Sequence, residues 1–302
     1  MVSSVDAKDP EYLKILYEIR QSHETRIKYY EKLEETLGLP ILCYFTSFRY
    51  PVAIDDNDVV MFEDILQKMD LTNGVALLIN SPGGDGEAAE RIVKICRSFS
   101  KTGEFKSIVL GKAKSAATLV CFGASEIFMS ETSELGPIDP QVIVEDQRYS
   151  AYNLIKTFNN LFERAVTTKG NLEPFLQQLH RLDAYDIAEF ESWMELSQDI
   201  AIKILKTGMM NHLSADKIKE KIDKFLIPEE KKTHSRPIYA NECLDCDLNI
   251  TIIDKLKEVE CWGNAYKLYS RLHNLTNRLY MGKILENKHL SLSVSVDRKG
   301  DS

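Results

Sequence analysis

Two short segments combine small residues with groups that could carry out chemistry. The first, NSPGGDG at residues 80–86, follows an apolar run and precedes a helical pattern. Paired glycines leave no Cβ between the backbone and a ligand, and the amides that open the next helix point to the same place. The Gly-Lys-Ser/Thr of a phosphate-binding loop is missing at the spacing this motif needs, so the segment does not indicate a nucleotide site.

The second segment, GKAKSAAT at residues 111–118, sets Ser115 among small residues at another strand-to-helix junction. A serine at the start of a helix often acts only as an N-cap. Here Ala116 and Ala117 also leave room for a substrate, and the helix dipole would favour the anion formed when Oγ attacks a carbonyl group. Taken alone, the segment is compatible with a cap or with a nucleophile. Lys112 and Lys114 are expected to contact a carboxylate or solvent.

Secondary-structure elements must bring these two segments together. Strand and helix patterns alternate from about residue 41 to 130. Such alternation predicts parallel strands joined by helical crossovers, with ligands bound beyond the carboxyl ends of the strands. Asp85 is expected to cap the helix that follows the first segment. The predicted elements are, in chain order, a strand at 41–48, a helix at 57–69, a strand at 75–79, a helix at 86–100, a strand at 107–110, a helix at 115–123 and a strand at 126–129.

Outside this region the patterns are mainly helical. A helix over 11–37 ends at a Gly-Leu-Pro stop, and residues 148–225 are predicted to be largely helical. Further on we expect a short strand at 249–253, a single helix at 263–288 and a polar tail at 291–302. The predicted domains are an N-terminal helical extension at 1–40, an α/β domain at 41–255, and a C-terminal helix with a polar tail at 256–302.

Composition restricts the class of protein. Of 302 residues, 44% are hydrophobic and 28% are charged, as in a typical globular chain. A net charge of −8 with scattered basic residues argues against nucleic acid as a partner. The N-terminal segment lacks the apolar core of a signal peptide, and the apolar runs are far shorter than the roughly 20 residues of a membrane span. The six cysteines, two of them in a lone CxxC, indicate buried reduced thiols without a metal, and hence a cytoplasmic protein.

The two segments together resemble the superfamily of Clp proteases and signal peptide peptidase A, whose wider fold is that of crotonase. The features that carry the resemblance are NSPGG, a helix, a strand and then GxAxSAA. The stretch GASEIFMSETSELGPIDPQ at residues 123–141 narrows it to the serine dehydrogenase proteinases, over about residues 41–255. The resemblance implies a Clp/crotonase-like α/β fold with a parallel sheet, helical crossovers and helical extensions at both ends.

The resemblance also implies roles for individual residues. Ser115 would be the nucleophile, and the backbone N–H groups of Gly84 and Ala116 would form the oxyanion hole. Two amides from separate strand-to-helix turns can converge on one carbonyl oxygen, which agrees with this assignment. Pro82 and Gly83 would shape a strip beside which an extended peptide pairs as an added strand.

Two alternatives remain open for the base. Asp139 lies 24 residues after Ser115 and His234 lies later, which resembles the Ser–Asp–His order proposed for serine dehydrogenase proteinases. A direct exchange of the histidine and aspartate positions of Clp proteases would put the carboxylate beside the serine, which suits triad chemistry only if the loops differ. Lys156, 41 residues after Ser115, would instead act as in the Ser–Lys enzymes related to signal peptide peptidase A. Partial burial by its apolar neighbours would lower its pKa toward that of a usable base.

The sequence thus predicts an intracellular serine peptidase that hydrolyses peptide bonds through an acyl-enzyme on Ser115, without a metal or an organic cofactor. The expected partners are a peptide or protein substrate and further copies of the same chain, with a regulatory or delivery protein as a hypothesis. Two other classes stay open. One is a non-catalytic peptide-binding or scaffold module of the same fold, and the other is acyl-CoA chemistry on a crotonase fold.

Overall fold

Strands and helices alternate along the computed structural model, which describes residues 10, 14–15, 22–144, 147–180, 184–227, 236–255, 259–278 and 281–296. The strands are β1 (Ile41–Thr46), β2 (Val75–Asn80), β3 (Phe105–Val109), β4 (Lys112–Ala113), β5 (Glu126–Met129), β6 (Glu134–Leu135), β7 (Gln141–Val144), β8 (Gln147–Ser150), β9 (Ile238–Tyr239), β10 (Ile250–Ile252), β11 (Met281–Glu286) and β12 (Ser291–Ser295). The helices are α1 (Glu24–Leu37), α2 (Asp56–Leu66), α3 (Gly86–Phe99), α4 (Ala116–Phe122), α5 (Ala151–Thr167), α6 (Glu173–Leu179), α7 (Ala184–Lys206), α8 (Ala215–Lys221), α9 (Asp223–Leu226), α10 (Ala240–Asp245) and α11 (Val259–Arg278), with a 3₁₀ turn at Ile253–Lys255.

The main sheet of the described residues has the strand order β10-β5-β3-β2-β1-β11-β12. From β10 to β1 the neighbouring strands are parallel, and β11 and β12 continue the sheet in antiparallel pairing. Helix α2 connects β1 to β2, and α3 connects β2 to β3. The predicted α/β fold with a mostly parallel sheet and helical crossovers is therefore confirmed. The carboxyl ends of β1, β2 and β3 lie at one edge, where ligands bind in such sheets.

Alternate residues of the central strands face two separate apolar cores. On β1, Leu42 and Tyr44 pack in the core that includes α2, α3, α4 and α7, whereas Ile41, Cys43 and Phe45 face α1 and α11. This alternation follows from the period of two in a strand. Helices cover both faces, so β1 and β2 are buried along their whole length. Continuous apolar runs such as VALLI in β2 are the sequence signature of this burial.

Local signals in the sequence define several helix ends. Helix α1 ends as predicted, because Gly38 adopts a left-handed conformation with φ 67° and its N–H donates to the carbonyl of Glu34. Helix α3 begins at Asp85, whose carboxylate accepts the N–H of Ala88 at 2.8 Å, so the predicted cap is confirmed. None of the helices within the described ranges combines the length and the apolar character of a membrane span.

A small sheet and a hairpin lie outside the main sheet. Strand β4 runs parallel to β6, and β9 runs antiparallel to β6. Strands β7 and β8 form the hairpin, which means that the predicted helical region at 148–225 is wrong at its start. The helical part begins only with α5, after Ser150. Strands of two to four residues are too short for a periodic pattern to reveal them.

The C-terminal part differs most from the prediction. The helix expected over 263–288 ends at Arg278, and β11 follows it. Strand β12 spans Ser291–Ser295, within the segment predicted to be a polar tail. Strand β11 pairs with β1, so that β1 lies inside the sheet and β12 forms its edge. The residues of β11 and β12 are therefore part of the sheet.

Candidate active site

The two candidate segments lie side by side beyond the carboxyl end of β2. The N–H of Ser81 donates to the carbonyl of Lys112 at 2.9 Å, and the N–H of Lys114 donates to the carbonyl of Ser81 at 3.0 Å. The side-chain oxygen of Asn80 also accepts the N–H of Lys112, at 3.0 Å. These bonds fix the double-glycine turn against the chain that leads to Ser115.

Ser115 has a strained backbone and a hydroxyl that does not cap its helix. Its φ of 51° and ψ of −123° lie where residues with a side chain are rare, at a cost of about 1–3 kcal/mol. It occupies the N-cap position of α4, yet its side chain makes no capping hydrogen bond. The hydroxyl of Ser115 therefore does not serve as a helix cap. Strained strand-to-helix turns of this kind expose the nucleophilic Oγ of serine in hydrolases.

Glycine is required at both positions of the first turn. Gly83 has φ +101°, and a Cβ there would lie 2.4 Å from the carbonyl oxygen of Lys114 and 2.7 Å from the Cβ of Ser115. Gly84 has φ +154°, and its Cβ would lie 2.3 Å from the amide nitrogen of Ile54. The backbone of this turn is therefore in close contact with the nucleophile segment on one side and with Ile54 on the other.

The backbone N–H groups of Gly84 and Ala116 are available to a ligand. Neither donates a hydrogen bond to a protein group in the part of the chain that the structure describes. Both residues line the same cleft as Ser115. Ala116 is buried, whereas Gly84 is exposed in the cleft. A buried amide without a partner is rare in folded proteins, and an exposed amide at the same cleft is open to a bound group, so these two are suited to binding a carbonyl oxygen.

The backbone groups of Gly83, in contrast, are engaged within the fold. Its N–H donates to Oγ of Ser81 at 3.1 Å, and its carbonyl accepts the N–H of Ile54 at 2.8 Å. Pairing of an extended peptide along Pro82 and Gly83 stays a prediction, and it would have to use groups other than the N–H of Gly83. In the structure, Gly83 allows the two turns to approach each other closely.

The cleft that contains Ser115 has a volume of about 760 Å³. That size is within the usual range of ligand-binding pockets. Charged side chains lie around the nucleophile and at the rim, and apolar side chains form the remainder. The apolar lining includes Phe48, Pro51, Val52, Leu119, Ile138, Ile143, Trp193, Leu196 and Ile200.

A largely buried ion pair lies directly beside the nucleophile. Nζ of Lys114 is 2.9 Å from Oε1 of Glu134, and their side chains are only 13% and 11% exposed. Nζ also donates to the carbonyl of Leu135 at 3.2 Å. Burial lowers the pKa of Lys114, and the bond to Glu134 opposes this effect. The predicted contact of this lysine with a carboxylate is confirmed.

We expect Lys114→Met to destabilise the protein by about 2 kcal/mol, because it leaves Glu134 in a water-poor position without its nearest cation. Lys112→Met is the matched control, since Lys112 contacts the same carboxylate at 3.5 Å but is 58% exposed. Its loss should cost less than about 1 kcal/mol. Urea unfolding at neutral pH measures both values. Equal losses for the two variants would contradict the importance of burial here.

Asp139 is buried in the loop after β6. Its carboxylate accepts the N–H of Tyr152 and the side-chain N–H of Gln141, both at 3.3 Å. Asp139 lines a separate cavity of about 140 Å³, whereas its neighbours Ile138 and Pro140 also line the Ser115 cleft. The carboxylate thus helps to hold its own loop, and its role in a triad stays a prediction.

Of the two candidate bases, only Lys156 lies among the described residues. Lys156 lies on an exposed face of α5 and does not line the Ser115 cleft. Its expected partial burial is wrong, because Leu154, Ile155 and Phe158 turn to a small apolar core that excludes it. His234 lies outside the described residues, in the range 228–235.

Two residues that shape the site were missed by the sequence analysis. Ile54 holds the double-glycine turn through backbone bonds, for which no side-chain signal exists. Glu134 pairs with Lys114, and its signal is only its place in the stretch SELGPIDPQ. Among the described residues, no group of three or more His, Cys, Asp or Glu side chains is arranged to hold a metal ion. The cysteines whose side chains are described are all buried: Cys43, Cys96, Cys121, Cys243 and Cys246.

A strained serine between a strand and a helix, beside unpartnered amides on an α/β sheet, is the arrangement of an α/β serine hydrolase. The chain belongs to the family of ClpP-like SDH-type serine proteinases, whose sequence model matches residues 7–259. The resemblance to serine dehydrogenase proteinases is thereby confirmed at the level of the family.

Three individual proteins to which the chain is similar share only 14–27% of the aligned residues with it. The chain is similar to an uncharacterized protein of Methanocaldococcus jannaschii, with 27% identity over 245 residues that cover 79% of this chain and 74% of the relative. A second uncharacterized protein of the same organism is 25% identical over 219 residues, 69% of each chain. Among solved structures, the chain is similar to a mutant of the membrane-bound stomatin-specific protease 1510-N at 14% identity and a TM-score of 0.30, covering 45% of this chain and 68% of that one.

Proposed function

We propose that the protein is a serine peptidase whose nucleophile is Ser115. The observation that carries the proposal is the strained conformation of Ser115, with a non-capping hydroxyl, beside the unpartnered N–H groups of Gly84 and Ala116. Membership of a serine proteinase family supports peptide bonds as the substrate class. A peptide-binding scaffold would gain nothing from strain at a serine, and this argues against the non-catalytic alternative.

In the proposed reaction, Oγ of Ser115 attacks the carbonyl carbon of a peptide bond while a base takes its proton. The carbonyl oxygen becomes an anion and accepts hydrogen bonds from Gly84 and Ala116. The C–N bond then breaks, and the amine leaves with the proton from the base, so that an ester remains on Ser115. Water, activated by the same base, attacks the ester, releases the acid and restores the hydroxyl.

The topology of the small sheet supports His234 as the base and Asp139 as the group that orients it. In the sequence, Ser115 follows β4, Asp139 follows β6, and His234 precedes β9 by four residues. Because β4 and β6 are parallel and β9 is antiparallel to β6, the ends of β4 and β6 share one edge of the sheet with the start of β9. Each of the three candidates is therefore close in sequence to a strand end at the same edge of the small sheet. Lys156 receives no comparable support.

Labelling with a fluorophosphonate probe tests this proposal. We expect the wild type to react and His234→Ala to react at least about 100-fold more slowly, which is the usual loss when a general base is removed. The rate for the wild type should fall as the pH drops below about 6.5, where a histidine gains its proton. The variant Lys156→Ala serves as the control and should react within twofold of the wild type.

Each other outcome has a distinct meaning. Loss of labelling in folded Lys156→Ala, together with its retention in His234→Ala, would replace the triad by a Ser–Lys pair. Absence of labelling in the wild type at every pH between about 6 and 9, where a base of either kind can act, would contradict an activated serine in this chain by itself.

The proposal also extends to the partners. We propose peptide or protein substrates in the cytoplasm, self-assembly of the chain, and a regulatory or delivery protein. Exposed apolar side chains on α5 and α6, such as Phe162, Val166 and Leu176, support a surface for assembly. Neither a metal nor an organic cofactor is part of the proposed reaction.

A further inference from the structure

A buried lysine of the C-terminal hairpin reaches the segment that holds the double-glycine turn. The hairpin of β11 and β12 lies beyond residues 7–259, which the family model matches. Lys283 on β11 has a side chain that is only 7% exposed. Its Nζ is 2.7 Å from Oδ2 of Asp55 and 2.8 Å from Oδ2 of Asp58. One cation from outside the matched range therefore pairs with two carboxylates inside it.

The two carboxylates form the capping box of α2. The N–H of Asp55 donates to Oδ2 of Asp58 at 2.8 Å, and Oδ1 of Asp55 accepts the N–H of Asn57 at 2.9 Å. Asp58 is fully buried. Burial raises the pKa of Asp58, and the hydrogen bond from Lys283 opposes that rise. The lysine thus gives the buried carboxylate of Asp58 a cation where water does not reach it, while the side chain of Asp55 is 48% exposed.

The residue directly before this box is the one that holds the turn. The N–H of Ile54 donates to the carbonyl of Gly83 at 2.8 Å, and the carbonyl of Ile54 accepts the N–H of Asp85 at 2.9 Å. These two bonds bracket Gly84, which faces Ile54 so closely that no Cβ would fit between them. The direction of the Gly84 N–H therefore depends on where Ile54 lies, and Ile54 is joined to Asp55.

A second set of contacts reaches the same turn from β1, the strand that pairs with β11. Thr46 is the partner of Lys283 in the register of β1 and β11. Its Oγ1 donates to Oγ of Ser81 at 2.7 Å, and that oxygen accepts the N–H of Gly83 at 3.1 Å. The turn is therefore contacted at both ends: through Ser81 by β1, which pairs with β11, and through Ile54, which is joined to the Asp55 that Lys283 binds.

We propose that Lys283 is a positioning residue for the oxyanion hole, acting through Asp55, Asp58 and Ile54 on the N–H of Gly84. This inference rests on the proposed function, in which that N–H binds the oxyanion. A displacement of about 1 Å at a reacting centre can cost about 100-fold in rate. Loss of the lysine should therefore slow the chemical step and leave the binding of the probe nearly unchanged.

The test compares Lys283→Met with Lys288→Met. Methionine keeps the aliphatic length and removes the cation. Lys288 belongs to the same hairpin, and its Nζ pairs with Oε2 of Glu34 at 2.7 Å, far from the turn. Fluorophosphonate kinetics would separate the maximal rate of inactivation from the concentration at half-maximal rate. For Lys283→Met we expect the maximal rate to fall about 10–100-fold, with the half-maximal concentration within twofold. Lys288→Met should match the wild type in both.

The labelling rate is also measured as a function of pH. The midpoint of this profile would shift if the base were altered. For Lys283→Met it should stay at the wild-type value, because the base itself is not altered. A shifted midpoint would overturn the proposal, since Lys283 would then act on the base. A folded Lys283→Met with a maximal rate within twofold of the wild type would overturn it as well.

A second variant covers the case in which Lys283→Met does not fold. The double variant Lys283→Met/Asp58→Asn removes both charges and leaves no uncompensated carboxylate at position 58. It should fold and show the same fall in maximal rate. Unfolding of both variants would overturn the proposal, because the lysine would then hold the sheet as a whole. An unlabelled wild type would instead contradict the proposed function, so the two failures are distinguishable.

Discussion

Replacement of Ser115 by alanine is expected to abolish fluorophosphonate labelling while the protein stays folded. The variant lacks Oγ, the atom that forms the bond to phosphorus, and hydrolysis of a peptide substrate should fall by about 10⁶-fold. The side chain of Ser115 makes no capping hydrogen bond, so its removal leaves no helix amide without a partner that it had before. The free energy of unfolding should therefore change by less than about 0.5 kcal/mol. Mass spectrometry measures the labelling, and urea unfolding measures the change in stability.

The glycine variant provides a sharper control at the same position. Ser115→Gly also lacks the nucleophile, but glycine accepts a φ of 51° without strain. It should be more stable than Ser115→Ala by about 1 kcal/mol. Persistent labelling in either variant would mean that another residue reacts with the probe. Equal stability of the two would contradict the strain at position 115.

A methyl group on Gly83 should strongly impair the site although it leaves the nucleophile in place. Gly83→Ala puts a Cβ against the carbonyl oxygen of Lys114, the Cβ of Ser115 and the amide nitrogen of Ala116, at 2.4, 2.7 and 3.0 Å. The neighbouring atoms are mostly backbone and cannot turn aside, so the two turns must move apart. We expect the rate of labelling to fall at least about 100-fold, because the nucleophile and the oxyanion donors lie on different turns. Labelling kinetics would show this directly.

Gly103→Ala is the matched control for backbone strain without a clash. Gly103 has φ +71°, and a Cβ there would meet nothing within 4 Å. The variant should lose about 1 kcal/mol of stability and label at the wild-type rate. If Gly83→Ala labels as fast as Gly103→Ala, the close contact of the two turns is not needed for reactivity.

The parts of the fold that the sequence predicts well are those set by local chemistry. The apolar run of β2, bounded by Asn73-Gly74 and Ser81-Pro82, indicates a buried strand, and Asp85 marks the start of α3. Ser115 could be singled out because its small neighbours and the NSPGG turn occur together in one family pattern. Its strain could not be foreseen, since φ is set by how β4 and α4 meet.

The parts that the sequence does not predict depend on distant contacts. The residues of β11, MGKILE, have apolar positions that suit a helix stripe as well as a strand, and only pairing with β1 decides between them. Lys156 shows a different limit. Neighbours in the sequence of a helix lie about 100° apart around its axis, so apolar residues next to a lysine do not bury it.

The position of β1 between β2 and β11 has a consequence for the order in which the protein is made. Lys283 and Asp55 are separated by 228 positions in the chain. At a synthesis rate of roughly 5–20 residues per second, the nascent β1 waits about 10–45 s for its second neighbour. During that time β1 has an open hydrogen-bonding edge, to which another strand could add. Ser115 therefore leaves the ribosome long before β11 can pair with β1, and β1 gains its second neighbour only after the C-terminal hairpin has been made.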